Sequence, residues 1–304
     1  MFPGQGAQYY QMGRQLYENE PAYRAAMDRC DAAAGPIAGQ TVSQVILGRP
    51  MSESDAFDRQ FESTACLLAV GYSLAQTLLA RGLQPDVLLG YSFGETIAAV
   101  VAGVIPLEDT FPLLLANARL IEATLPPGIM LAVLGDWQTL KTLPAFAPCE
   151  LAAVNSPRHF VVSLPPAALP PLTTLLEAHE IAFARLPVKY GFHASFIDAA
   201  GPGLRALAAT LPRNPAQYPI VSAMTTGPID PIPPDHFWHV ARKPIRFAET
   251  LQRLAAAGPC RFIEAGPTGT LATFTKQVLG PRTDALPAIN QFGHNLRTMD
   301  QIFA

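Results

Sequence analysis

Apolar residues recur at helical spacing in residues 22–34, 66–81, 93–104, 107–124 and 202–211, which predicts a helix over each. Short apolar runs bounded by Gly, Pro or polar clusters predict strands at 87–89, 130–134, 150–154, 160–164, 181–186, 220–222 and 260–264. The stretch from 123 to 190 stands apart from its flanks. It reads strand (129–134), helix (137–143), two strands, helix (167–179) and strand, a β-α-β-β-α-β order of ferredoxin-like type. The flanks, 1–122 and 191–304, alternate short strands and helices, as a mainly parallel sheet covered on both faces requires. The predicted fold class is therefore α/β, one large subdomain interrupted by a small ferredoxin-like one. No internal repeat or low-complexity tract interrupts the pattern.

One junction in this pattern carries chemistry. The run Val87-Leu88-Leu89 leads into Gly90-Tyr91-Ser92-Phe93-Gly94-Glu95, and helical spacing follows at once. A strand entering G-x-S-x-G and leaving as a helix describes a nucleophile elbow. The serine hydroxyl is exposed on a strained turn, and N–H groups at the helix start can stabilise an oxyanion. Glycine is needed on both sides because a Cβ there would meet the neighbouring strand and helix. The bare pattern arises by chance in roughly one chain of this length in ten, so its strand-turn-helix setting carries the weight.

Composition narrows the classes. An apolar fraction of 49 % with 15 % charged residues describes a compact enzyme-like chain and excludes disorder. A net charge of −3 gives no electrostatic reason to expect nucleic acid. No apolar run of membrane-spanning length and no signal-peptide pattern stands out. Cys30, Cys66, Cys149 and Cys260 are far apart and form no C-x-x-C, which predicts buried reduced thiols and a cytoplasmic protein. The chain opens at Met1-Phe2-Pro3-Gly4, nearly inside a motif, so the first strand is expected to begin before this numbering.

Four segments resemble one family. Phe2-Pro3-Gly4-Gln5-Gly6-Ala7-Gln8, Gly90–Glu95, Phe192-His193-Ala194-Ser195 and Phe262-Ile263-Glu264-Ala265-Gly266-Pro267 are similar, in order and spacing, to the acyltransferases that load acyl carrier proteins. These comprise malonyl-CoA:acyl-carrier-protein transacylase and the acyltransferase domains of polyketide synthases. The resemblance covers essentially the whole chain and implies an α/β-hydrolase-like large subdomain with the ferredoxin-like insert. It assigns Ser92 as nucleophile and His193 as its general base, because a serine hydroxyl is almost wholly protonated at neutral pH. It also places the backbone N–H groups of Gln5 and Phe93 in an oxyanion hole. In the family a backbone carbonyl, usually of an Asn, orients the histidine; the matching position here is Val240. His159, His179, His236, His239 and His294 lack the F-H-x-S context and are expected to be structural. The i, i+3 pair His236 and His239 has no evident third ligand, so no metal is expected. Asp198 is expected to cap a helix rather than to act as a triad acid.

Departures from the family gather around the acyl pocket. Malonyl-type members carry an Arg that forks onto the free carboxylate of the acyl group. The matching stretch, Leu115-Ala116-Asn117-Ala118-Arg119, places Asn117 there, with Arg119 pointing elsewhere on the helix. Tyr91 replaces the usual His before the nucleophile, and Thr64 stands where the family has Gln. Burying a carboxylate without its cation costs several kcal/mol, so malonyl should be a poor substrate. Tyr190-Gly191-Phe192-His193 fills the family's specificity tetrad; Gly191 either widens the pocket for a larger acyl chain or is a turn glycine.

Three functions compete. The first is a Ser–His enzyme that hydrolyses non-carboxylated acyl groups from acyl carrier protein, as some stand-alone relatives in polyketide assembly lines do; the opening Gln8–Arg14 region, numbers 8–14, looks like theirs. The second is an acyltransferase, malonyl or other, with a carrier thiol as acceptor. The third is a silent docking domain, opposed by retention of Ser92, His193 and both oxyanion elements. All three imply acyl carrier protein and its acyl thioester as partners, with Arg242, Lys243 and Arg246 as cations available to an acidic carrier. No metal or redox cofactor is implied; the phosphopantetheine arm belongs to the substrate.

Overall fold

The structure, a computed structural model, describes residues 1–48, 55 and 57–304. Its strands in chain order are β1 (Leu88–Gly90), β2 (Ile129–Val133), β3 (Glu150–Ser156), β4 (His159–Leu164) and β5 (Phe183–Arg185). Four more follow: β6 (Ile220–Ser222), β7 (Gly227–Pro228), β8 (Phe262–Glu264) and β9 (Ala285–Pro287). The large subdomain is built on short parallel strands, with β1 beside β6 and β8 beside β9. Among the described strands of this subdomain, β7 alone runs antiparallel, against β6. Residues 1–3 join the two halves. The Phe2 N–H donates to the Leu89 carbonyl and the Tyr91 N–H to the Phe2 carbonyl, both at 2.9 Å, while the Ala265 N–H donates to the Met1 carbonyl at 2.9 Å. The opening segment thus lies between β1 and β8 and aligns the first family motif beside the elbow.

Helices cover this sheet. The helix Gln60–Ala80 is long and apolar enough, by length and composition alone, to cross a bilayer, contrary to the reading that no such run exists. Its apolar surface is instead spent on the core: Cys66, Leu67, Leu68, Val70 and Leu74 are fully buried. The helix Leu107–Thr124 has the bounds that the periodicity predicts. The elbow helix is shorter than predicted, Gly94–Val101, because the chain turns at Gly103 with φ +75°.

The middle segment folds into a four-stranded antiparallel sheet of order β3-β4-β2-β5, the ferredoxin-like arrangement. Period-two alternation decides what each face meets. Ile129, Leu131 and Val133 of β2, with Phe160, Val162 and Leu164 of β4, point into a private core closed by Leu172 and Leu176 of the helix Leu169–Ala178. Met130, Ala132 and Val161 point the other way and pack on the large subdomain. The edge of β3 is tied down as well: the Ile245 N–H donates to the Ala152 carbonyl (2.8 Å) and the Val154 N–H to the Ile245 carbonyl (2.9 Å).

Candidate active site

Ser92 sits at φ +54°, a left-handed conformation rare for a residue with a Cβ, between the end of β1 and the elbow helix. Three glycines make that turn possible. A Cβ on Gly90 would collide with the Glu95 backbone, one on Gly94 with the Phe2 carbonyl, and one on Gly4 would lie 2.9 Å from both Ser92 Cβ and the Tyr91 oxygen. The opening Gly4-Gln5-Gly6 turn therefore packs directly on the elbow. Ser92 Oγ lies 2.8 Å from His193 Nε2, across 101 residues of sequence.

His193 is buried and is also left-handed, at φ +60°. Its own N–H donates to the Ala241 carbonyl at 2.7 Å, and its Nδ1 lies 3.0 Å from the Lys243 carbonyl. A carbonyl can only accept, so Nδ1 carries the proton and Nε2 presents its lone pair to Ser92. Burial lowers the imidazole pKa from its ordinary value to about 4, against the opposing effect of the Lys243 and Val240 carbonyls. The ring is neutral at pH 7, the state a general base requires. Val240, the position matched from the family motif, contributes, but the hydrogen bond itself falls on Lys243.

The backbone N–H groups of Gln5 and Phe93 meet no acceptor among the described residues. Phe93 precedes the first residue of the elbow helix, and the Gln5 side chain is anchored by Gln60 and Ser63, each at 3.1 Å. Two such donors beside a serine hydroxyl can hold an oxyanion.

A cavity of about 110 Å³ opens beside Ser92 and runs past Asn117 toward Leu204 and Phe237. None of the described residues lining it is Lys, Arg, Asp or Glu. Asn117 lines it, and its buried Oδ1 has no partner among the described residues. Arg119 is exposed and faces a separate surface groove with Arg59 and Glu62. Thr64 lines the cavity too, but its hydroxyl donates back to the Gln60 carbonyl at 2.9 Å.

Three residues expected in the pocket stand outside it. The Tyr91 hydroxyl donates to Asn155 Oδ1 (2.9 Å) and its ring meets Phe247 edge-on at 5.5 Å. It props the small subdomain because the residue before an elbow serine points to the opposite side of the turn. Tyr190 packs its ring edge-on against Phe192, 6.1 Å away, one layer behind the cavity wall. Gly191 is a junction glycine: Gly128, where the chain enters the small subdomain, presses on the Gly191 backbone, and a Cβ on Gly191 would lie 3.0 Å from the Phe196 ring. No described residue of 123–190 lines the cavity, so the cavity walls come from the large subdomain.

Other polar expectations change as well. Asp198 caps no helix; it pairs with Arg242, and Arg246 pairs with Glu249, so of the three cations only Lys243 has no carboxylate partner among the described residues. His236 and His239 part company, His236 meeting Glu95 at 2.7 Å and His239 meeting Asp235 at 3.4 Å. The sequence reading missed the Glu95–His236 pair, although a glutamate directly after an elbow glycine is a position where burial forces a partner. Cys30 and Cys66 are buried, Cys149 is half-buried and Cys260 is exposed, and all four thiols are free.

The family model for the acyl transferase domain matches residues 1–291. The chain belongs to the acyl transferase domain family. Among curated relatives, this acyltransferase is 39 % identical to the polyketide biosynthesis acyltransferase homolog BaeD of Bacillus velezensis, over 92 % of this chain and 86 % of that one. It is 34 % identical to the homolog PksD of Bacillus subtilis, over 99 % and 94 %. Among solved structures it is similar to a loading acyltransferase from the avermectin modular polyketide synthase. The TM-score is 0.89 at 26 % identity, covering all of this chain and 98 % of that one. The α/β-hydrolase-like body with its ferredoxin-like insert is the fold of these acyltransferase domains.

Proposed function

We propose that this acyltransferase removes uncharged acyl groups from acyl carrier protein through an acyl-Ser92 intermediate, with water as the acceptor. His193 Nε2 takes the Ser92 proton as Oγ attacks the thioester carbonyl. The carbonyl oxygen, now an anion, is held by the Gln5 and Phe93 N–H groups. Collapse of that intermediate breaks the C–S bond, and His193 returns its proton to the phosphopantetheine sulfur, giving a free carrier thiol. The second half repeats the steps with water in place of serine, releasing the free acid. The carrier and its pantetheine arm are substrate, so the enzyme needs no cofactor of its own. Free thiols suit a reducing, cytoplasmic setting.

The observation that carries the acyl preference is a cavity beside Ser92 with no Lys or Arg among its described lining residues and with Asn117 where a carboxylate clamp would stand. Relatives named as polyketide biosynthesis acyltransferase homologs support a place in that chemistry. Transfer to a second carrier thiol is the other reading, favoured by the family description itself. Both share every step up to the acyl-enzyme. A brief incubation with butyryl carrier protein, followed by mass analysis of the Ser92 peptide and of both products, separates them. The proposal expects an acyl adduct on wild type, none on Ser92→Ala, and free butyrate. Butyryl arriving on a second carrier with no free acid would leave a transferase.

A further inference from the structure

Glu95 and His236 form a buried hydrogen-bonded pair, 1 % and 3 % exposed, with His236 Nε2 2.7 Å from Glu95 Oε2. The other carboxylate oxygen accepts from Ser222 Oγ (2.7 Å) and from the Met224 N–H (3.3 Å). Neither residue lines the cavity, and neither side chain hydrogen-bonds the Ser92 hydroxyl or the His193 ring; Glu95 meets Ser92 only through the main chain, its N–H donating to the Ser92 carbonyl at 2.9 Å. Their importance lies in what they join. Glu95 is in the first turn of the elbow helix, three residues after Ser92. His236 is the first residue of the helix His236–Arg242. That helix supplies the Ala241 carbonyl that accepts from the His193 N–H, and the chain just beyond supplies the Lys243 carbonyl at Nδ1. Phe237 and Trp238, next to His236, form part of the cavity wall.

A buried polar pair is seldom the most stable filling for a protein interior; an apolar pair of similar volume usually serves as well. What it adds is direction, since a short hydrogen bond admits one spacing and one orientation. We infer that the Glu95–His236 pair is a positioning pair, coupling the helix that carries the nucleophile to the helix whose carbonyls aim the base. The chain of contacts runs Ser92, elbow helix, Glu95, His236, the helix His236–Arg242, the Ala241 and Lys243 carbonyls, and His193. Any slack in the pair appears as a change in the Ser92–His193 distance. The inference rests on the Ser92–His193 reading above.

Its test uses three variants and three readouts: the single-turnover acylation rate of Ser92 at saturating butyryl carrier protein, KM, and Tm. His236→Phe keeps ring volume but leaves the carboxylate unpaired. Glu95→Gln with His236→Phe removes the cross-helix bond while keeping an acceptor for Ser222 and Met224. His236→Gln keeps an N–H donor within reach of the carboxylate. The expected result is an acylation rate about 10–100-fold lower in the double variant, with KM within about threefold and the protein folded, and recovery of most of the rate in His236→Gln. If His236→Phe does not fold, the double variant still decides. Acylation within about twofold of wild type in the folded double variant overturns the inference, as does His236→Gln performing no better than the double variant. Acylation persisting in Ser92→Ala or unaffected in His193→Ala would instead overturn the nucleophile and base themselves.

Discussion

His193 can serve as a base because its surroundings keep it uncharged. Burial sets its pKa near 4, below the ordinary histidine value, and the proton it does hold is fixed on Nδ1 by a main-chain oxygen. The neutral form therefore persists as pH falls through 6.5 and is lost only near 4. Acylation of Ser92 should stay flat from about pH 8 to pH 6 and fall below about pH 5, rather than losing half its rate near 6.5 as an unperturbed histidine would. Stopped single-turnover acylation across that range checks this, and an inflection near 6.5 would contradict it. The proposed acyl preference rests on Asn117, which lines the cavity. A malonyl carboxylate beside its amide would be buried without a cation, at a cost of about 3–5 kcal/mol. Asn117→Arg should raise malonyl turnover relative to acetyl by at least about tenfold. An unchanged ratio would show that the acyl carboxylate never meets this position. Ser92 and His193 were legible in the sequence because each sits in a local motif. Lys243 was not, because a carbonyl is common to every residue and leaves no side-chain signature. Tyr91, Tyr190 and Gly191 misled for a related reason: being next to a catalytic position in sequence does not decide on which side of a turn a side chain emerges.

Among the elements, the helix Leu107–Thr124, with its full apolar stripe, was read to the residue, the other predicted helices were read with shifted ends, and the four strands of the insert were read in order. Short pieces escaped: β7, β9 and the helices His236–Arg242 and Phe247–Ala257 are too brief, or too dependent on tertiary packing, to show a clear period. Two of those missed pieces matter most, since one aims His193 and the other carries Phe247 against Tyr91. The Tyr91–Asn155 hydrogen bond joins elbow and insert, and Asn155 also lies 3.1 Å from His159 Nδ1. Tyr91→Phe leaves Asn155 Oδ1 without this donor and should lower stability by about 1–2 kcal/mol in denaturant unfolding. Because Tyr91 stands outside the cavity, the acetyl-to-malonyl ratio should not move. A shifted ratio would return Tyr91 to the acyl pocket.

At the scale of the molecule, the opening segment, the elbow, the helix Leu107–Thr124 and the helix His236–Arg242 meet around one cavity, none of whose described lining residues is Lys, Arg, Asp or Glu. The insert braces this arrangement from behind, through the back face of its sheet and the β3 edge at Ile245. Such a body brings a serine, a neutral histidine and two N–H groups without an acceptor among the described residues to the cavity on which the proposed preference for uncharged acyl groups rests. The most direct test is kcat/KM for acetyl and malonyl carrier protein, followed by mass analysis of the carrier and assay of the released acid. The account predicts that acetyl is favoured by about a hundredfold or more, with free acetate formed and the carrier returned as its thiol. Comparable kcat/KM for the two carriers would contradict it.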